Sequence, residues 1–134
     1  MSVKIKGIKE LEKQINAELT SRKASTAINN AVNKGGDTVV DELKREFSKF
    51  ANTGASRDEI VRSNARSSND IRGLKVGWEG PKDRWRLIHL NEFGYSKAGK
   101  QFRPKGMGTI VRTTESSKEK YFNTVFKEMK KVYD

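Results

Sequence analysis

Residues 87–108 read LIHLNEFGYSKAGKQFRPKGMG. The stretch opens as an apolar run and ends as a basic, glycine-rich one, with no acidic residue after Glu92. Taken with the preceding Trp85-Arg86, its first part reads as a strand over 85–93. Leu87, His89 and Asn91 would then face one side, and Ile88, Leu90 and Glu92 the other. Gly94–Gly108 reads as a long basic loop attached to that strand. Such a loop suits an active-site lid, a nucleic-acid grip, or a piece that folds only against a partner.

Upstream, Ile71–Trp78 reads as a second strand, joined to the first by the turn Glu79-Gly80-Pro81-Lys82-Asp83. Val3–Lys6 alternates apolar and basic residues, as a short strand does. Ile8, Leu11, Ile15 and Leu19 then fall on one helical face. A second helix is expected from about Ser25 to Phe50, with Ile28, Ala31/Val32, Gly35, Val39, Leu43, Phe47 and Phe50 as its stripe. Gly35-Gly36 interrupts it at a cost of about 1 kcal/mol per glycine relative to alanine. The pair marks a packing notch or a bend. It is no phosphate loop, which needs glycines between a strand and a helix N-terminus. Asn52-Thr53-Gly54 breaks the helix. Residues 55–70 are polar, either disordered or with a ragged strand near Glu59–Arg62.

Downstream, Thr109–Arg112 suits one more short strand. Ser116-Ser117-Lys118-Glu119 fits a capping box, followed by the apolar face Tyr121, Phe122, Val125, Phe126, Met129, Val132 and Tyr133. The resulting fold class is α+β: a short antiparallel sheet packed against two N-terminal helices and a C-terminal amphipathic helix, with a long flexible basic loop. Phe47, Trp78, Phe93, Phe122 and Phe126 are the expected core aromatics. The 134 residues are expected to form a single domain, with flexible segments at about 52–70 and 94–108.

Composition bounds the function. Apolar residues make up only 34% of the chain and the formal net charge is +11. The excess sits in the middle, where residues 51–114 carry thirteen basic and six acidic side chains. Such a balance favours a polyanion, an acidic partner surface or a pore that carries nucleic acid. There is no cysteine, hence no disulfide, thiolate nucleophile or cysteine metal site. No apolar run approaches the roughly 20 residues of a membrane span. The start, MSVKIKGIKEL, has no apolar signal-peptide core, so a protein made in and used from a cytoplasm is expected.

Catalytic signatures are scarce. His89 is the only histidine, and nothing beside it marks a nucleophile. Asp37, Asp41 and Glu42 have helical spacing but alternate with Lys34, Lys44 and Arg45, as on a solvated face. There is no Walker motif, GxSxG or HExxH. No enzymatic activity, cofactor or metal site is therefore expected; the weakest of the readings is a small enzyme built on His89 and Glu92. The basic positions Lys97, Lys100, Arg103, Lys105 and Arg112, interleaved with Tyr95 and Phe102, form the candidate contact loop. They suit single-stranded nucleic acid as well as a merely solvated loop.

Several short motifs occur in an informative order. They are the start VKIKGIKEL at Val3–Leu11, Thr53-Gly54 after the helix pair, Leu90-Asn91-Glu92-Phe93-Gly94, Arg103-Pro104 and the C-terminal amphipathic helix. Over nearly its whole length the chain resembles the tail-component family of long-tailed bacteriophages, also called head–tail joining or tail-completion proteins. It departs from the pattern where Asn52 replaces a frequent proline and where Lys105-Gly106-Met107-Gly108 follows Pro104.

The resemblance implies a virion structural protein of the neck, assembled in the bacterial host cytoplasm, and not an enzyme. It would be a homo-oligomeric ring, hexameric in the virion and monomeric alone. Its partners would be the head connector or stopper protein, the tail terminator or tail tube protein, and, non-specifically, phage DNA, with no membrane. The loop 94–108, with Lys97, Lys100, Arg103, Lys105 and Arg112, would then be a DNA-channel or ring-interface segment that orders on assembly. The alternative is a small basic non-specific nucleic-acid-binding protein.

Overall fold

The computed structural model describes residues 2–4, 13, 21–50, 54–68 and 71–133. The expected helix on Ile8, Leu11, Ile15 and Leu19 lies outside these residues, as does Thr53. The elements are β1 (Ser2–Lys4), α1 (Ser21–Ser48), α2 (Ala55–Asp58), β2 (Ile60–Arg62), β3 (Arg66–Ser68), β4 (Ile71–Trp78), α3 (Trp85–Phe93), β5 (Tyr95–Lys97), β6 (Lys100–Phe102) and α4 (Thr109–Tyr133). The mixture of helices with short antiparallel strands is α+β, as the sequence indicates.

The described residues fall into two compact units. One holds residues 1–38, 62–76 and 118–134, and the other 39–61 and 77–117. Four elements, α1, β2, β4 and α4, contribute residues to both.

In the first unit, β4 is the central strand. β1 pairs with it antiparallel, Val3 opposite Leu74, and β3 pairs antiparallel on its other side, Arg66 opposite Gly73. β2 is the neighbour of β4 opposite β1, and the following Ser63 donates its N–H to the Lys75 carbonyl at 2.7 Å. Here the expected stripe of α1 is buried, Ile28, Ala31 and Val32 being at most 1% exposed, and Ala24, one turn earlier, is buried with them. Asn33 links this helix to the sheet edge, its Oδ1 accepting the Ala65 N–H at 2.7 Å and Arg62 Nη1 at 3.2 Å.

Gly35-Gly36 is a packing notch, and α1 runs through it unbroken. A Cβ on Gly35 would lie 2.5 Å from Val125 Cγ2 and 2.8 Å from the Tyr121 ring, and one on Gly36 would strike Leu74. Helix propensity is given up for close approach of α4 and β4 to the α1 backbone. On α4 the buried positions here are Tyr121, Val125 and Met129, one every four residues.

In the second unit, Val39, Leu43, Phe47, Ile60 and Ile88 are buried. Phe47 meets Trp78 edge-on with ring centroids 5.5 Å apart, and the indole N–H of Trp78 donates to the Ser56 carbonyl at 2.7 Å. Two buried glutamates organise this unit. Glu59 accepts the N–H groups of Lys82 (2.6 Å) and Arg84 (2.9 Å), holding the turn before α3. Glu92 accepts those of Ile110 (2.8 Å) and Val111 (2.9 Å) in the first turn of α4. That turn has no acidic residue of its own, so Glu92 satisfies its orphan donors and complements its dipole from another element.

Four expectations are corrected here. Trp85–Phe93 is a helix, not a strand: its buried residues, Ile88 and Glu92, are four apart, and Gly94 ends it with φ +75° and an N–H bonded to Leu90 O. Thr109–Arg112 is the opening turn of α4, not a strand. The helix therefore does not start at a capping box; Ser116 lies inside it, its hydroxyl donating to the Thr113 carbonyl at 3.2 Å. Of the expected core aromatics, Phe47 is buried and Trp78 and Phe122 half-buried, but Phe93 is 74% and Phe126 39% exposed. Phe93 stands on the helix face opposite Ile88, whereas strand alternation would have set it beside Leu87, His89 and Asn91. Phe126 follows directly on the buried Val125 and so turns away from it.

Candidate interaction surface

The basic segment after Gly94 is built as a hairpin. Ala98 (φ 53°) and Gly99 (φ 78°) both have positive φ, as a two-residue turn of the twist favoured between antiparallel strands requires. The register pairs Tyr95 with Phe102, Ser96 with Gln101 and Lys97 with Lys100. Period-two alternation then puts Tyr95, Lys97, Lys100 and Phe102 on one face. The rings of Tyr95 and Phe102 stack there, 5.0 Å apart and 13° from parallel. Every residue of both strands is exposed.

Lys97 and Lys100 are directly opposed, and like charges at opposed positions destabilise a strand pair. No acidic residue lies between Glu92 and Glu115 in the sequence to offset them. An anion placed against this face would relieve that repulsion and meet a stacked aromatic pair beside the charges.

The five basic positions singled out in the sequence separate in space. Lys97 and Lys100 share the hairpin face. Arg103 is exposed just after β6, and Lys105 is exposed beyond Pro104. Arg112 instead folds back on the start of its own helix, its guanidinium donating to the Met107 carbonyl at 2.8 Å and to the Thr109 hydroxyl at 3.3 Å. It fixes the returning end of the segment.

A second feature was hidden by reading 85–93 as a strand. On α3, Trp85, His89 and Phe93 follow at intervals of four and form an exposed stripe, with Trp85 54% and Phe93 74% exposed. The Arg86 guanidinium lies 5.1 Å from the centre of the Trp85 ring. The helical spacing of the aromatics was the signal that could have revealed the stripe. Of the nine exposed large hydrophobic residues among those described, seven, Trp85, Leu87, Phe93, Tyr95, Phe102, Met107 and Val111, fall within residues 85–111.

His89 is exposed on that stripe. The Glu92 carboxylate is committed to backbone N–H groups. Among the described residues, no three histidine, cysteine, aspartate or glutamate side chains cluster as a metal site would need. Of the acidic trio on α1, Asp37 pairs with Arg62 at 2.5 Å and Glu42 pairs with Arg45. Among the described residues no helix is long and apolar enough to cross a membrane. Comparison with protein-family models, with curated proteins and with solved structures gives no match.

Proposed function

We propose that this chain is a structural protein of the neck of a long-tailed bacteriophage. It would be a head–tail joining or tail-completion subunit that forms a ring between head connector and tail tube, around the DNA channel. The resemblance in motif order suggests the role. The observation that supports it best is the concentration of exposed apolar residues in 85–111, the same stretch that carries the basic hairpin. Large apolar groups left open together mark surfaces that partners cover. A ring of copies supplies such partners, and lysines held on an exposed hairpin suit phosphate contact without base reading.

The test is electron microscopy of a lysate from phage carrying an early stop codon in this gene. DNA-filled heads lying beside separate tails are expected. Empty, leaking heads would shift the role to the stopper of the connector. Normal virions would overturn the proposal.

A second reading, a free non-specific nucleic-acid-binding protein, is favoured by one observation, the Tyr95–Phe102 stack beside Lys97 and Lys100. It requires micromolar or tighter DNA binding by the isolated chain with a steep salt dependence. The ring requires neither, because many weak contacts add up in an assembly.

A further inference from the structure

The second unit contains a cavity of about 650 Å³. Lys49, Arg84 and Lys105 line it, together with Ser56, Asn91 and Phe50, and among the described residues no carboxylate does. A larger groove in the first unit pairs two of its cations with carboxylates that line the same groove, Lys34 with Glu128 and Arg62 with Asp37. The cavity of the second unit is different. Lys49 has Glu46 at 3.0 Å, but Arg84 and Lys105 have no acidic partner among the described residues.

Arg84 is held in place for this position. Its backbone N–H is bound by Glu59 and its Nε donates to the Ser56 hydroxyl at 2.8 Å. Among the described residues only Nε of its guanidinium has a partner, so the outer nitrogens keep their donors. Lys105 is presented by the returning end of the basic segment, which rests on Phe50. Gly106 lies so close to that ring that a Cβ would collide with it, and its φ is +80°. Phe47, Phe50 and Pro104 supply apolar wall. Oriented cations beside an apolar wall match a ligand that carries both characters.

We infer that this cavity docks a peptide segment of a partner protein in which a carboxylate neighbours an apolar side chain. The acid pairs with Arg84, whose planar fork suits carboxylates, and with Lys105, while the apolar group packs on Phe50 and Pro104. A concave site with an apolar wall receives a protruding side chain. Duplex DNA would offer it phosphate alone and leave that wall unused. The inference does not depend on the chain being a neck protein.

Amide-resolved NMR titration of the full chain tests it, using acetyl-Glu-Leu-Asp-amide as probe and acetyl-Gln-Leu-Asn-amide as its neutral twin. The acidic peptide should shift the amides of Ser56, Asn91 and Lys105, and the neutral twin should bind about tenfold or more weakly, as loss of a charge-assisted bond implies. Lys105→Gln, an exposed change that leaves the fold intact, should weaken the acidic peptide alone, and Arg84→Gln should weaken it further. No shift at these amides, or equal shifts with the neutral twin, would overturn the inference. So would matching shifts from inorganic phosphate, which would make this a bare anion site, or displacement of the peptide by a short DNA duplex.

Discussion

The carboxylate of Glu92 accepts the backbone N–H of Ile110 at 2.8 Å, joining the end of α3 to the first turn of α4. Its carbonyl also accepts the Gly108 N–H at 2.9 Å. The hairpin between them is thereby closed at its base by one residue. A two-stranded hairpin is marginal by itself, so this closure determines whether the basic face is presented at all.

Glu92→Ala should leave two N–H groups of α4 unpaired in a buried place and lower stability by about 2 kcal/mol. Glu92→Gln keeps one acceptor oxygen and should cost about half as much. Urea unfolding measures both changes. Hydrogen exchange should quicken first at Ile110 and Val111. Uniform loss of protection across α4 would show that Glu92 acts on the whole helix and not as its cap.

Gly35→Ala should destabilise the chain by about 1–3 kcal/mol, although alanine is the better helix former by about 1 kcal/mol. The new Cβ would meet Val125 and the Tyr121 ring, both buried and unable to step aside. Gly77→Ala, in β4, is the open-space comparison, since no described residue lies within 4 Å of its Cβ position. Thermal melting of the two variants compares a glycine against a packed wall with one in open space. A Gly35→Ala protein as stable as the Gly77→Ala one would mean that the notch is not tight.

The parts of the fold that sequence reveals are those fixed by local periodicity. The stripe of α1 repeats from Ile28 to Phe47, β4 is bounded by turn residues, and the apolar face of α4 is unmistakable from Tyr121 onward. Residues 85–93 read as a strand in sequence because Leu87, Ile88 and Leu90 fit neither period cleanly. What settles them is distant: Glu59 holds the turn before the helix from more than twenty residues away. The hairpin was hidden for a different reason. Its turn is Ala98-Gly99 in place of the Asn-Gly or Asp-Gly that signals such a turn. The charges of the candidate surface were legible, but their grouping was not, since nothing local shows that Arg112 turns back while Lys97 and Lys100 stand opposed.

Phe47 and Phe93 should respond oppositely to truncation. Phe47 is 3% exposed and packed on Trp78 and Phe50, so Phe47→Ala should cost about 3–5 kcal/mol. Phe93→Ala removes a ring that is 74% exposed and should change the stability of the isolated chain by no more than about 0.5 kcal/mol. In the proposed ring the same change should impair assembly, read as lost infectivity in complementation. A Phe93→Ala chain that assembles normally would remove the aromatic stripe from the interface.

Tyr121 carries a hydroxyl that is buried without a hydrogen-bond partner among the described residues. Burial pushes its phenol up to about 12, because the charged form cannot be hydrated there. The unfolded chain titrates near the ordinary value of 10. The folded state therefore favours the protonated phenol, and this contribution is complete below pH 10 and is lost as pH rises from 10 towards 12. The loss reaches about 2 kcal/mol by pH 12 and tends to about 3 kcal/mol above it. Tyr121→Phe removes both effects. It should be neutral or raise stability by up to about 1 kcal/mol at pH 7, since no bond is broken and an unpaired polar group is gone. Between pH 10 and 12 its urea midpoint should fall less steeply than that of the wild type. A marked loss of stability at pH 7 would mean that the hydroxyl makes a bond, and parallel pH curves would mean that the phenol is not what titrates.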